Sequence, residues 1–403
     1  MPLGRDEKII IAFDTWTLNQ RFCNGGTFVY SKQILGHLRH LAAQSAVEIR
    51  PFVSAGANNE ANGFLPAPGF RPRETALLRF GRLWRYGGAW LTAWLDHPDV
   101  VFSPSTHTLQ FPSPAVRVVT VHDVTPVVMP SFAPMNIIRK LRFTLRRAVM
   151  DSDGIIASSE RSKLDLMNVY GLPESKISVV YLGYDSSYFN TTSPPREMLS
   201  GLLQRFKIYR PFLFHHGLMQ PRKNMKRLIQ AHRLLLSRDP SLELDLVLAG
   251  PLGWKGEELL ESARVSAGPR GDVIFTGALP DADLACMLKG ATLAVIPSLY
   301  EGFCLPMVEA MACGTPTVVA DSSCLPEVSG GVLRYFNAES VDAIADCLEQ
   351  VLTNRSLLGE LAKQGIARAK RFSWRRCAED TLAVLTRLAR DHKRGPRARS
   401  QGI

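Results

Sequence analysis

Two glutamates eight residues apart, Glu301 and Glu309, lie in the stretch PSLYEGFCLPMVEAMACGTP over 297–316 and are the side chains here best placed to do chemistry. Pro306 suits the start of a helix, where its missing N–H would have had no partner and its φ is already helical. Gly314 suits the left-handed residue that stops that helix. Short apolar runs over 291–296 and 315–320 read as buried strands on either side, which makes the unit strand, tight loop, helix, strand. The first N–H groups of a helix have no internal partner and carry the positive end of its dipole, so the backbone at Gly302, Phe303, Cys304 and Leu305 forms a cradle for an anion. Carboxylates beside such a cradle can hold sugar hydroxyls. On one continuous helix, positions eight apart lie about 80° apart, so placing Glu301 in the preceding loop lets both carboxylates reach one ligand. Taken alone, the spacing favours a surface glutamate and a capping glutamate.

The flanking residues narrow the reading. PSLYEGFCLPMVEAMACGTPTVV resembles the donor-site signature of retaining glycosyltransferases of family 4, the glycosyl transferases group 1 family, and the resemblance continues in order over residues 8–390, weakest over 55–95. It implies an α/β chain of the GT-B type, with two Rossmann-like doubly wound domains facing across a cleft. The acceptor domain is expected over 1–193 and the nucleotide-sugar donor domain over 205–372. A last helix over 373–390 is expected to cross back onto the first domain, ahead of a basic disordered tail over 391–403. The signature includes this E-x7-E pair, and the expectation is that Glu301 holds the sugar hydroxyls and Glu309 the ribose diol.

Other positions enter in the same way. In GLMQPRKNMKRLIQA, Arg222 and Lys223 stand between a strand over 212–215 and a helix over 224–236, where their charges reinforce an anion-binding helix start. Alone they read as two exposed cations; the resemblance makes them the diphosphate-binding pair. His122 follows an apolar run over 116–121, at the strand end where open α/β sheets carry out ligand chemistry. Alone it also fits a hydrogen-bonded core imidazole, whereas VHDVTPVVMP resembles the family motif whose histidine reaches the transferred sugar. Gly25 and Gly26 open the helix after the first strand and allow close backbone approach, and the family's glycine-rich loop there faces the donor phosphates. His215-His216 departs from the family pattern. Adjacent strand residues face opposite ways, so the expectation is buried histidine rather than a chelating pair.

Composition bounds the rest. A chain of 403 residues is too long for one core, and alternating apolar runs and amphipathic helices imply parallel sheets covered on both faces. TTSPP at 191–195 is the expected linker. The seven cysteines show no zinc or disulfide spacing, and neither a signal peptide nor an 18-residue apolar run is present, so a cytoplasmic protein is expected. The net charge of +11 suits anionic ligands or an anionic membrane surface, but the basic residues are not interleaved with aromatics, which argues against nucleic acid. A basic amphipathic segment over 71–95 is either a surface helix or a face touching a bilayer that carries a lipid-linked acceptor. A second, over 136–150, reads as a covering helix with a solvated face.

The expected reaction is transfer of a hexose, mannose favoured, from a nucleotide diphosphate sugar such as GDP-mannose to a hydroxyl of a glycan or lipid-linked acceptor in cell-surface polysaccharide synthesis. It needs no cofactor and no metal, because side-chain cations and a helix dipole meet the leaving phosphate. The rival readings are a phosphorylase or nucleotide-sugar epimerase on the same fold, and a non-catalytic polyanion-binding protein.

Overall fold

The computed structural model describes residues 8–18, 25–52, 97–106, 114–265 and 270–395. The chain forms two compact units: Met1–Val124 with Asn136–Leu182 and Trp374–Ile403, and Thr125–Met135 with Gly183–Ser373. The TTSPP segment thus falls inside the second unit. Lys289 Nζ holds the carbonyl of Tyr188 and Oδ1 of Asn190 there, just ahead of the helix Arg196–Phe206. The basic segment over 71–95 lies outside the described residues.

In the first unit β1 (Ile9–Asp14), β2 (Val47–Phe52), β3 (Val100–Ser103), β4 (Val116–Val121), β5 (Gly154–Ala157) and β6 (Ile177–Val179) form one sheet in the order β2-β1-β3-β4-β5-β6. Every pairing in it is parallel. The central strands read as unbroken apolar runs because helices cover both faces. One of these is the helix Trp374–Lys393, whose buried side chains, Trp374, Cys377, Ala378, Thr381, Leu385 and Ala389, recur every one to four residues along one stripe. It packs against the helix Gly26–Ala42, with the Tyr30 and Trp374 rings 6.2 Å apart, and Lys393 closes the far end on Asp99 at 2.9 Å.

The second unit carries β7 (Phe212–His216), β8 (Asp245–Ala249), β9 (Val273–Gly277), β10 (Leu293–Ile296), β11 (Thr317–Ala320) and β12 (Arg334–Phe336), in the order β12-β11-β10-β7-β8-β9. All of these pairings are parallel too. Strand order reverses between β7 and β10, and an open α/β sheet binds its ligand outside the carboxyl ends of the strands at that reversal. The loops leaving β7 and β10 carry Arg222, Lys223, Glu301 and the cradle residues. Among the described residues, no helix is long and apolar enough to cross a membrane.

The loops after β7 and β8 touch through glycine. Gly250 has φ +138°, and a Cβ built on it would fall 2.0 Å from the Gly217 carbonyl oxygen. Neither the backbone angle nor the space admits a side chain. Gly250→Ala is therefore expected to destabilise the protein by about 3 kcal/mol or more, strain and overpacking combined. Denaturant unfolding checks this, and a midpoint equal to wild type would refute it.

Candidate active site

The helix after β10 begins one residue earlier than expected. It runs Leu305–Cys313, so Pro306 occupies the second position, and Gly314 ends it with φ +74° as anticipated. Its entry is sharper than the sequence implied: Cys304, the residue before the first turn, is itself left-handed at φ +74°, a conformation disfavoured for a residue with a Cβ. Gly302, Phe303 and Cys304 are buried and Leu305 is half-buried. Phe303 is anchored by an edge-on contact with Phe372, ring centres 5.4 Å apart.

Glu301 is the centre of the arrangement. It is buried, and its two carboxylate oxygens meet Arg222 Nη1 at 2.7 Å and Lys223 Nζ at 2.6 Å. Burial alone would raise its pKa, but the two cations outweigh that and hold the carboxyl down at about 2. Arg222 Nη1 also donates to the Tyr300 carbonyl at 3.0 Å, and the Glu301 N–H donates to Ser323 Oγ at 2.9 Å. Lys223 is buried as well. The Arg-Lys doublet is thus no pair of exposed cations.

The loop holding that doublet is a single 3₁₀ turn, Pro221–Lys223, closed by Asn224 with φ +64°. Asparagine tolerates the left-handed region better than most residues, and here its amide is also used. Asn224 Nδ2 donates to the carbonyls of Pro297 at 3.1 Å and Ala338 at 2.7 Å, tying the loops after β7, β10 and β12 together. Sequence reasoning treated Asn224 only as a helix start. Its bridging role depends on partners 73 and 114 residues away, which no local pattern reveals.

Glu309 points elsewhere. It lies 3.3 Å from Nε2 of buried His216. Burial, then Asp281, push its carboxyl up to about 8 against the pull of Lys223. Burial, then His215 and Lys223, lower His216 to about 3, while the Pro306 carbonyl accepts from the ring. Burial thus disfavours the charged form of both partners. His215 faces the other way: its Nδ1–H donates to the Val295 carbonyl at 2.9 Å, and burial and Lys223 lower it to about 4. The histidines are buried and point apart, as the strand alternation implied.

His122 and the glycine pair belong to the first unit. His122 follows β4, its ring edge-on to Tyr30 with centres 4.7 Å apart, and its carbonyl accepts from Ser158 and Ser162. Tyr30 is itself fixed by a 3.0 Å hydrogen bond to Thr120. Gly25 and Gly26 are exposed at the start of the Gly26–Ala42 helix. Two D-x-D spacings occur in the chain: Asp151 and Asp153 pair with Arg147 and Arg117, and Asp281 and Asp283 occupy the first turn of the Asp281–Gly290 helix. Among the described residues, no group of three His, Cys, Asp or Glu side chains has a metal-binding arrangement.

Two doubly wound units, one with buried cations and a helix start at its strand-order reversal, are an arrangement in which open α/β sheets can bind phosphorylated ligands. Comparison with known proteins gives the particular family. Residues 205–372 match the family model "Glycosyl transferases group 1" and residues 31–188 the model "Glycosyltransferase Family 4". O-antigen chain mannosyltransferase B of Escherichia coli is 32% identical over 267 residues, 66% of this chain and 68% of that protein. The serotype-specific mannosyltransferase WbdA of the same organism is 27% identical over 76% of this chain, which spans only 39% of WbdA. Among solved structures, sucrose-phosphate synthase from Thermosynechococcus elongatus aligns over 94% of this chain and 99% of its own, with TM-score 0.69 and 17% identity. Anabaena HepE in complex with UDP-glucose does so with TM-score 0.67, 18% identity and the same coverage. The chain belongs to the group 1 glycosyltransferases of family 4, and its fold is GT-B.

The buried titratable groups set a pH profile. His215, His216 and the similarly buried His232, lowered to about 4 by burial, are neutral when folded and take protons more readily when unfolded. Stability therefore falls as pH drops from about 6.5 toward 4. Glu309 has the opposite sign, since its folded pKa of about 8 lies above its unfolded value. The folded protein keeps a proton that the unfolded chain releases, so stability also falls as pH rises from about 4.5 toward 8. Thermal unfolding between pH 6.5 and 8 should show a declining midpoint in wild type and a flatter one in Glu309→Gln. Parallel curves would contradict this protonation state.

Proposed function

We propose that this glycosyltransferase moves a mannosyl residue from a nucleotide diphosphate sugar to a hydroxyl of a growing cell-surface glycan or lipid-linked acceptor, with retained anomeric configuration and without a metal. The observation that carries the reading is the buried Arg222–Glu301–Lys223 cluster at the strand-order reversal, beside a helix start. The sugar follows from the names of the relatives, among them an MMP alpha-(1->4)-mannosyltransferase from Mycolicibacterium hassiacum at 32% identity over 59% of this chain. The nucleotide diphosphate follows from the UDP and UDP-glucose complexes of HepE.

The chemistry divides among the residues as follows. Arg222, Lys223 and the N–H groups around Gly302 to Leu305 meet the charge that grows on the departing diphosphate, which is the work a divalent cation does elsewhere. Glu301 holds the two cations in place and offers an ionised carboxylate to the sugar hydroxyls, where hydrogen bonds strengthen as the ring becomes cationic. Glu309 takes the ribose diol. His122 serves the sugar and acceptor side, and the open backbone at Gly25 and Gly26 faces the phosphates. In this reading the protein works at the cytoplasmic side, where nucleotide-sugars are made.

Incubation with a panel of nucleotide-sugars tests the proposal, with GDP-mannose expected to give acceptor-dependent release of GDP. Donor isomerisation without release would favour an epimerase instead. EDTA is expected to leave turnover intact, and loss restored by magnesium would overturn the metal-free account. Lys223→Ala should lower kcat/KM roughly a hundredfold, about 3 kcal/mol of transition-state stabilisation. Unchanged turnover in a folded variant would sink its assignment.

The two glutamates separate by calorimetry with free nucleotide diphosphate, which carries ribose but no sugar. Glu309→Gln should weaken its binding and raise the donor KM. Glu301→Gln should bind it more nearly like wild type and lose mainly kcat. The reverse ranking would exchange the two roles.

A further inference from the structure

The helix Met135–Asp151 covers the first unit with Ile138, Leu145, Ala148 and Val149 buried beneath it. Its outer face is not the plain solvated surface that its charge suggested. Phe143 is 59% exposed and Met150 50%, seven residues apart and hence on one stripe of the helix. Arg139 and Arg146, also seven apart, line one side of that stripe, and Lys140 and Arg147 line the other. All four cations are exposed. The acidic residue of this helix, Asp151, is at its end and paired with Arg147 at 2.7 Å.

Two exposed apolar side chains framed by two rows of cations are a specific combination. A soluble polyanion would be met by the charges and would gain nothing from Phe143 and Met150. A hydrophobic partner surface would gain from those two but would have to desolvate four cations. An anionic lipid surface satisfies both at once: headgroup phosphates meet the arginines and lysine, while the ring and thioether enter the acyl boundary between them. Long basic side chains also reach outward past the apolar stripe, which keeps their charges at headgroup level. We propose that the outer face of this helix docks the protein on an anionic membrane surface, parallel to its plane.

This does not rest on the sugar or on the donor, so its test is independent of turnover. The full-length protein is sedimented with vesicles of phosphatidylcholine alone and of phosphatidylcholine with phosphatidylglycerol, at low and at physiological salt. Binding is expected only to the anionic vesicles and should weaken with salt. Replacing Arg139, Lys140 and Arg146 together with Gln should lower the partition coefficient roughly a hundredfold, since each cation near an anionic surface contributes about fivefold. Phe143→Ser with Met150→Ser should lower it further at physiological salt, where the charge contribution is screened. All five sites are on the outer face, and circular dichroism with thermal unfolding verifies that each variant is folded. Equal vesicle binding by wild type and the variants would overturn the proposal, because it would put the contact elsewhere, such as the basic C-terminal end. So would equal affinity for neutral vesicles, or no binding to either kind.

Discussion

The second unit depends on a buried carboxylate shared by two cations. Glu301 comes from the loop after β10, and Arg222 and Lys223 from the turn after β7, so their ion pairs at 2.7 and 2.6 Å span the point where strand order reverses. Removing one partner of such a group leaves a buried charge exposed to its own desolvation cost, on the order of 3–5 kcal/mol. The main chain repeats the connection. The Leu299 N–H donates to the Arg222 carbonyl at 2.8 Å, Arg222 returns a bond to Tyr300, and Asn224 bridges to Pro297 and Ala338. The charges proposed to meet the ligand and the contacts that hold the loops together are therefore one network.

How much of this was legible in the sequence depended on range. The strand-loop-helix-strand unit around Glu301, the stop at Gly314 and the opposed burial of His215 and His216 follow from local patterns of apolar residues, proline, glycine and alternation. These are decided within a few residues of chain. The doublet Arg222-Lys223 could be placed beside a helix start, but not closed onto a carboxylate 79 residues away. The left-handed Cys304 is likewise invisible, because a cysteine at φ +74° is imposed by the packing of Phe303 and the helix start rather than by its own preference.

Charge patterns were the least informative at the surface. The segment over 136–150 has the sequence of a covering helix, and it does cover the sheet. Periodicity shows which residues face the core but not whether the rest meet water or another phase. That distinction rests on Phe143 and Met150 falling between two rows of cations, which is visible once the buried face has been fixed and the outer face counted around the helix.

The two glutamates of one motif end in opposite states, and the difference has a purpose in the charge balance of the site. Glu301 is ionised between its cations, while Glu309, one helix turn beyond the cradle, is held protonated against a neutral His216. Counting Arg222 and Lys223 against Glu301 leaves the cluster with one positive charge. Were Glu309 also ionised, that charge would be cancelled, and Lys223, which already pulls on Glu309, would be divided between two carboxylates. Setting half-buried Glu309 against an imidazole that does not easily protonate favours a cationic cluster near neutral pH. An anion arriving at the helix start then meets a net attraction in a region of low dielectric, where one charge counts for far more than it would in water.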